Sequence, residues 1–218
     1  MHDRKQPSID ATLLIAPGCT HCPVVMEGLA RLIKAGKLGR LNIVNIHDHP
    51  EAAQEAGVRS VPWTRIGPFE LAGEQSPAEL ARWAEHAANG SGVTEYYSHL
   101  LENQRPQQVQ RMILRRPDTL SDLILLLSSL ETPLLVRIGV GAVMEELAEQ
   151  GALKPASAEL AALTRAEAPQ VRADAAHYLS LTGDATAADS LRALLQDPDP
   201  EVREIASESL AVLEASSN

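Results

Sequence analysis

The chain has 218 residues, which is enough for one large or two ordinary domains. Its formal charge of −10 is uneven, because residues 1–90 carry 9 basic and 10 acidic residues whereas residues 91–218 carry 10 and 19. This acidic surplus argues against nucleic-acid binding, which needs a basic face. The longest apolar stretch, residues 120–143, contains charged residues and a proline, so no membrane span is predicted. Without a secretory signal, we expect a cytoplasmic protein.

Residues 1–90 alternate between strand and helix signals. An apolar run at residues 11–16 predicts a strand, and an amphipathic run from residue 23 to about 35 predicts a helix. A second strand follows at residues 41–46, and the strand–helix–strand order implies a right-handed parallel crossover. A short helix at residues 51–56, strands at 60–66 and 69–71, and a helix at 77–88 complete this region. Ser76 and Glu79 form a predicted capping box for the last helix.

The only two cysteines lie between the first strand and the first helix, in the sequence Gly18-Cys19-Thr20-His21-Cys22. Cys19 is therefore predicted at a helix N-terminus, where unpaired N–H groups and the positive dipole end favour a thiolate. A protonated His21 would add positive charge beside it. An exposed thiolate with a second thiol one turn away is what thiol–disulfide exchange requires, since one sulfur attacks and the other resolves the mixed disulfide.

Other readings of a Cys-x-x-Cys sequence are weaker here. A zinc site would need histidines, because no second Cys-x-x-Cys exists, and Pro23 stands where haem attachment needs a histidine. A structural bridge across so short a loop would constrain the unfolded chain little. His47 and His49 follow the second strand at the predicted dithiol edge of the sheet, so Cys19, Cys22, His47 and His49 remain a metal-site alternative. Solvent-exposed loop histidines are the simpler interpretation.

This element order, with Cys19-Thr20-His21-Cys22 after the first strand and Val61-Pro62 before a later one, resembles the thioredoxin superfamily at its minimal, glutaredoxin-like length. The resemblance implies that Cys19 is the nucleophile and Cys22 the buried resolving thiol. It also implies that Pro62 follows a cis peptide bond and that Val61 offers an extended backbone edge to substrate.

Three departures from that family pattern concern the same site. Gly18 replaces the tryptophan of ordinary thioredoxins, and Leu13 replaces the buried aspartate of those proteins. Gly18, Val61 and Pro62 are the predicted substrate-binding residues. The Thr20-His21 dipeptide is similar to the proline-histidine of DsbA-type oxidants. This similarity implies that both residues tune the dithiol and that the potential is less reducing than that of thioredoxin.

Residues 91–218 carry helix signals throughout and an internal repeat. Residues 169–179 match residues 200–210 at an offset of 31, and a looser copy begins at Pro133. The pattern Pro-x-Val-Arg-x-x-Ala, with an aspartate segment ahead of it as in Asp197-Pro198-Asp199, resembles short HEAT repeats of the phycobilisome-lyase type. We expect a thioredoxin-like α/β domain at residues 1–90, a linker and helical connection at 91–118, and an all-α HEAT-like solenoid at 119–218.

The sequence thus favours a protein disulfide oxidoreductase whose helical repeats recruit protein substrates. The expected partners are proteins with thiols or disulfides, a thiol electron donor and a basic protein on the acidic helical region, with no cofactor, nucleic acid or membrane. The direction of exchange stays open. The alternatives are a redox-switched interaction adaptor and, less favoured, a Cys/His metal-binding module.

Overall fold

The computed structural model describes residues 9–216, which form two compact units. The first unit extends to Gly92 and the second begins at Val93. Strands occur in the first unit, and helices alone make up the regular structure of the second within the described residues. The expected fold class, an α/β region followed by an all-α region, is confirmed.

From residue 9 onward, the first unit consists of a four-stranded sheet and three helices. Its elements are β1 (Asp10–Ile15), α1 (Cys22–Lys34), β2 (Arg40–Asn45), α2 (Pro50–Ala56), β3 (Trp63–Ile66), β4 (Phe69–Ala72) and α3 (Pro77–Asn89). The sheet order is β2-β1-β3-β4, with β1 parallel to β2 and β3 antiparallel to both of its neighbours. The predicted parallel crossover through α1 is therefore present.

Part of the core of the first unit lies on the sheet face that carries Leu13 and Phe69, because the register places these side chains on one side. Phe69 packs against Trp83 of α3 with ring centroids 5.0 Å apart. Helix α1 packs closely on α3 at Gly28, where an added Cβ would lie 2.7 Å from Leu80 Cδ1. Both helices thus cover the same face and fix where α1 begins.

Two local expectations have clear outcomes. The capping box is confirmed, since Glu79 N donates to Ser76 Oγ at 3.2 Å and Ser76 N donates to Glu79 Oε2 at 2.7 Å. The third strand is shorter than the predicted residues 60–66 and begins at Trp63. Pro62 has no N–H to donate to a neighbouring strand, which explains why regular pairing starts after it.

The second unit contains eight α-helices within the described residues. They are α4 (Val93–Glu102), α5 (Pro106–Arg115), α6 (Leu120–Ser128), α7 (Leu134–Glu149), α8 (Ser157–Leu163), α9 (Pro169–Ser180), α10 (Ala188–Leu194) and α11 (Pro200–Ser216). Short 3-10 turns precede α6, α8 and α10. Short loops join neighbouring helices, as helical repeats require.

Packing within this unit follows the repeat. Helix α8 packs on α9, α10 packs on α11, and α9 packs on α11, so successive pairs stack. The equivalent residues Val171 and Val202 are both buried in the stack, as are Ala175 and Ala206. Helices α4 and α5 also pack on α7, so residues 93–115, which the sequence suggested as a connection, lie inside this unit.

Candidate functional site

Four segments of the first unit meet at one edge of the sheet. The carboxyl ends of β1 and β2 lie side by side, because Ile15 pairs with Asn45. The start of β3 and the end of β4 reach the same edge, since Trp63 pairs with both Leu14 and Ala72. The residues that follow β1, precede β3 and follow β4 are therefore brought together by topology alone.

A tight turn carries the chain from β1 to the cysteines. Cys19 N donates to Ala16 O at 3.3 Å, which closes a four-residue turn over Pro17 and Gly18. Gly18 has φ +78°, a conformation that suits glycine at the third position of a type II turn. Gly18 and Thr20 are exposed at this turn, so the backbone there is accessible to an approaching chain.

Cys19 and Cys22 are joined by a disulfide with an S–S distance of 2.10 Å and a Cα–Cα distance of 5.6 Å. Cys22 is the first residue of α1 and is buried, with 6% of its surface exposed, whereas Cys19 is half-buried in the preceding turn. Cys22 N donates to Cys19 Sγ at 3.2 Å. The backbone at the start of α1 thus points a donor at the sulfur that the sequence predicts to become a thiolate.

The Val61–Pro62 peptide bond is cis, as the resemblance implied. Pro62 is buried and Val61 is half-buried at the dithiol edge of the sheet. Gly73, which follows β4, donates its N–H to Pro62 O at 2.9 Å. The segment before β3 and the loop after β4 are therefore tied to each other at the site.

His21 forms an ion pair and hydrogen bond with Glu74 through its Nδ1 atom. Glu74 lies in the loop between β4 and α3, 53 residues from His21 along the chain. The sequence reasoning missed Glu74, because its position depends on where β4 ends relative to β1. The only sequence signal was the pair of closely spaced strands predicted at residues 60–66 and 69–71, because a hairpin places the end of its second strand beside the start of its first.

His47 and His49 follow β2 at the same edge, but their contacts are local. His49 Nδ1 lies 3.1 Å from Glu51 Oε1, and His47 N donates to Asn45 Oδ1 at 3.1 Å. The Glu51 backbone N–H at the start of α2 and the His49 side chain hold the pKa of Glu51 below its usual value. Among the described residues, no group of three or more His, Cys, Asp or Glu side chains is arranged to hold a metal ion.

In the second unit, equivalent arginines bond to the loop that precedes their own helix, and Arg172 also reaches the next repeat. Arg172 donates through Nη1 to Ala166 O at 3.0 Å and Glu167 O at 2.7 Å, and Arg203 donates through Nη1 to Asp197 O and Pro198 O. Arg172 also donates to both carboxylate oxygens of Asp197, at 2.8 and 2.7 Å. These hydrogen bonds hold the pKa of Asp197 below its usual value and raise the pKa of Arg172.

Arg137 of α7 makes the equivalent contacts in the preceding repeat. It donates to Ser129 O at 3.1 Å in its own helix–helix loop and forms an ion pair with Asp174 of α9. Arg137, Arg172 and Arg203 are the only basic residues other than histidine on α7, α9 and α11. Their charges are thus directed at loops and at neighbouring repeats.

The acidic side chains of these helices lie largely at the surface. Between α9 and α11 a groove of about 410 Å³ is lined by Asp174, Asp199 and Glu201 together with the apolar Val202 and Ile205. Glu204 and Glu208 are exposed on α11. The groove therefore combines carboxylates with apolar surface.

Comparison with known protein families identifies both units. Residues 11–85 match the family model described as a thioredoxin domain, and residues 126–211 match the one described as HEAT repeats. Among curated proteins, no match was found. In the stretch of chain that the structure describes, no helix is long and apolar enough to cross a membrane. The thioredoxin-like domain and the Cys19–Cys22 pair suggest redox activity, and the chain joins a thioredoxin-like domain at residues 11–85 to HEAT repeats at residues 126–211.

Proposed function

We propose that the protein is a thiol–disulfide oxidoreductase that acts on other proteins. The observation that carries this proposal is that the Cys19–Cys22 pair and the Val61–Pro62 segment lie at the same edge of the sheet. The first supplies a reversible two-electron couple, and the second is a backbone segment on which an extended substrate chain can lie.

The reaction proceeds in two exchanges. The Cys19 thiolate attacks one sulfur of a substrate disulfide, forms a mixed disulfide and releases the other substrate sulfur as a thiolate. The Cys22 thiolate then attacks Cys19 Sγ, releases the second substrate sulfur and leaves the Cys19–Cys22 disulfide. The substrate gains two electrons and takes up two protons that the two protein thiols lose. A thiol donor reverses both steps and regenerates the dithiol.

The different exposure of the two cysteines supports Cys19 as the attacking thiol and Cys22 as the resolving thiol. A substrate sulfur can approach half-buried Cys19, whereas Cys22, at 6% exposure, is reached most easily from Cys19 itself. Gly18, Val61 and Pro62 would contact the substrate chain, and Thr20 and His21 would tune the couple. A cytoplasmic location belongs to this proposal, because reversible rather than structural dithiols are typical of reducing compartments.

Single cysteine substitutions test this function. Cys22→Ser should trap substrates as mixed disulfides on Cys19, because the resolving thiol is missing, and Cys19→Ser should trap far less because its remaining thiol is buried. The Cys19→Ser/Cys22→Ser double variant is the control for non-covalent capture. Intact mass after incubation with a disulfide-bonded peptide measures the adduct. Equal trapping by both single variants would contradict the assigned roles.

For the HEAT repeats we propose that the α9–α11 groove recruits basic segments of protein substrates. The groove supports this role because its carboxylates lie beside apolar Val202 and Ile205, whereas Arg172 and Arg203 are directed at the repeat loops. Such a surface attracts lysine- and arginine-bearing chains by charge complementarity. The encounter should weaken as salt rises.

A charge reversal in the full-length chain tests recruitment. Glu201→Lys, which reverses the charge of an exposed carboxylate that lines the groove, should slow reduction of a disulfide in a lysine-rich peptide by about 3- to 10-fold at low salt, since steering by opposite charge is lost. Reduction of glutathione disulfide should not change. Glu131→Lys is the matched control, with the same charge change at an exposed position in the α6–α7 loop of the same unit. Equal slowing by both variants would mean that net charge, not the groove, is responsible.

A further inference from the structure

The loop between β4 and α3 is attached to both sides of the dithiol site. Gly73 donates its N–H to Pro62 O at 2.9 Å, and the next residue, Glu74, is bonded to His21. Gly73 has φ +82°, which a residue with a side chain rarely adopts, so the loop turns sharply at this point. Gln75 is buried and donates through Nε2 to Ala72 O at 3.4 Å. Glu74 is therefore carried by an anchored loop, although its own side chain is exposed.

His21 lies between the two cysteines in sequence and is hydrogen-bonded to Glu74. It occupies the N-cap position of α1, directly before Cys22 and two residues after Cys19, and its side chain makes no capping hydrogen bond. An ionised carboxylate only accepts hydrogen bonds, so Nδ1 of His21 carries the hydrogen that Glu74 accepts. The ring is thereby fixed in one orientation and one tautomer, or in the imidazolium form, with Nε2 turned away from Glu74.

We propose that Glu74 is a positioning residue that acts through His21 to stabilise the reduced form of the Cys19–Cys22 pair. Reduction of the disulfide by two glutathione molecules adds two electrons and two protons to the protein and yields glutathione disulfide. When Cys19 then carries a thiolate, the histidine two residues along the chain, with its ring oriented by Glu74, would offer a hydrogen-bond donor or positive charge to that sulfur. The arrangement follows the general logic in which a third group orients the residue that assists a nucleophile. This inference rests on the proposed oxidoreductase function.

The direction in which removal of the Glu74 carboxylate shifts the dithiol–disulfide equilibrium separates this role from direct repulsion between Glu74 and the Cys19 thiolate. A carboxylate acting directly on Cys19 would disfavour the thiolate, so its removal would stabilise the reduced form. A carboxylate acting through His21 would have the opposite effect, and only while His21 is present. The two possibilities therefore predict shifts in opposite directions.

The test is the equilibrium constant for oxidation of the dithiol by glutathione disulfide, measured for full-length variants at one pH and one salt concentration. Glu74→Gln should raise this constant by about 2- to 5-fold, the range of an exposed ion pair. Glu74→Asp should restore most of the wild-type value. In a His21→Ala background, Glu74→Gln should change the constant by less than about 2-fold. Glu55→Gln, an equal charge change on exposed α2, is the matched control and should have no effect.

Each other outcome overturns the proposal. A lower constant for Glu74→Gln would show direct repulsion, and an equal shift with and without His21 would show that histidine is not involved. No shift would show that the pair is a surface contact without influence on the couple. Wild-type protein that shows no two-electron transition would overturn the oxidoreductase function itself, and this inference with it. The fluorescence of Trp63 and Trp83 checks that each variant is folded.

Discussion

Side-chain pairs of a basic and an acidic residue occur in both units, but in contrasting surroundings. In the first unit, the side chains of His21 and Glu74 are 62% and 44% exposed at the edge of the sheet. In the second unit, Arg172 and Asp197 are only 11% and 6% exposed between repeats. Exposed pairs contribute about 0–1 kcal/mol to stability, so the first pair adds little to the stability of its unit. A buried pair is costly to break, because the remaining charge has no partner, so the second is structural.

The two units also differ in how their characteristic contacts are distributed along the sequence. The dithiol lies within four consecutive residues, whereas its surroundings come from β3 and the loop after β4. The helical stack instead repeats one arginine arrangement three times, at Arg137, Arg172 and Arg203. This contrast between one unique site and a repeated arrangement agrees with the chemistry proposed for the first unit and the recognition surface proposed for the second.

The largest expected effect on stability comes from Arg172→Ala. The change leaves Asp197 buried without its cation and removes the donors to two loop carbonyls, so the free energy of unfolding of the helical unit should fall by about 2–4 kcal/mol. Denaturant unfolding followed by circular dichroism at 222 nm and by tyrosine absorbance measures it. All three tyrosines lie in the second unit and both tryptophans in the first, so the two transitions can be followed separately.

Arg192→Ala is the control for that substitution. Arg192 pairs with Asp189 at 3.0 Å, but their side chains are 53% and 93% exposed. Its loss should change the unfolding free energy by less than about 1 kcal/mol. If Arg172→Ala were no more destabilising than Arg192→Ala, the distinction between buried structural pairs and exposed pairs would fail.

A smaller effect on the unfolding free energy is expected when the pH is lowered. The hydrogen bonds from Arg172 depress the pKa of Asp197 in the folded state. The stabilisation is therefore fully present above the unfolded-state pKa, about 4, and is lost as pH falls through the lower folded-state value. Between pH 5 and pH 2, wild-type protein should lose more unfolding free energy than Arg172→Ala, in which the depressing partner is missing. Parallel pH profiles of the two proteins would contradict this account.

Much of the first unit could be predicted from sequence because its signals are local. Apolar runs define the strands, Ser76 and Glu79 define the start of α3, and the cysteines mark the β1–α1 turn. The strand bounds were less accurate, as at the start of β3, because pairing depends on neighbouring strands. The roles of Val61, Pro62 and Gly18 in substrate binding remain predictions.

Glu74 could not be predicted in the same way, because nothing near it in the sequence indicates a partner 53 residues away. Its contact with His21 requires the register of β3 with both β1 and β4. The ion pair between Arg137 and Asp174, 37 residues apart, was missed for a similar reason. The inclusion of α4 and α5 in the helical unit likewise depends on packing against α7, which the weak repeat signal there did not show.

The central claim is that Cys19 and Cys22 form a reversible redox couple. The most direct measurement is an equilibrium titration in glutathione buffers, with free thiols counted by alkylation and intact mass. The account predicts one two-electron transition in which both cysteines change together, with a midpoint that sets the direction of exchange. Cysteines that stay unreactive until a chelator is added would contradict it and would favour a metal site with His47 and His49 instead.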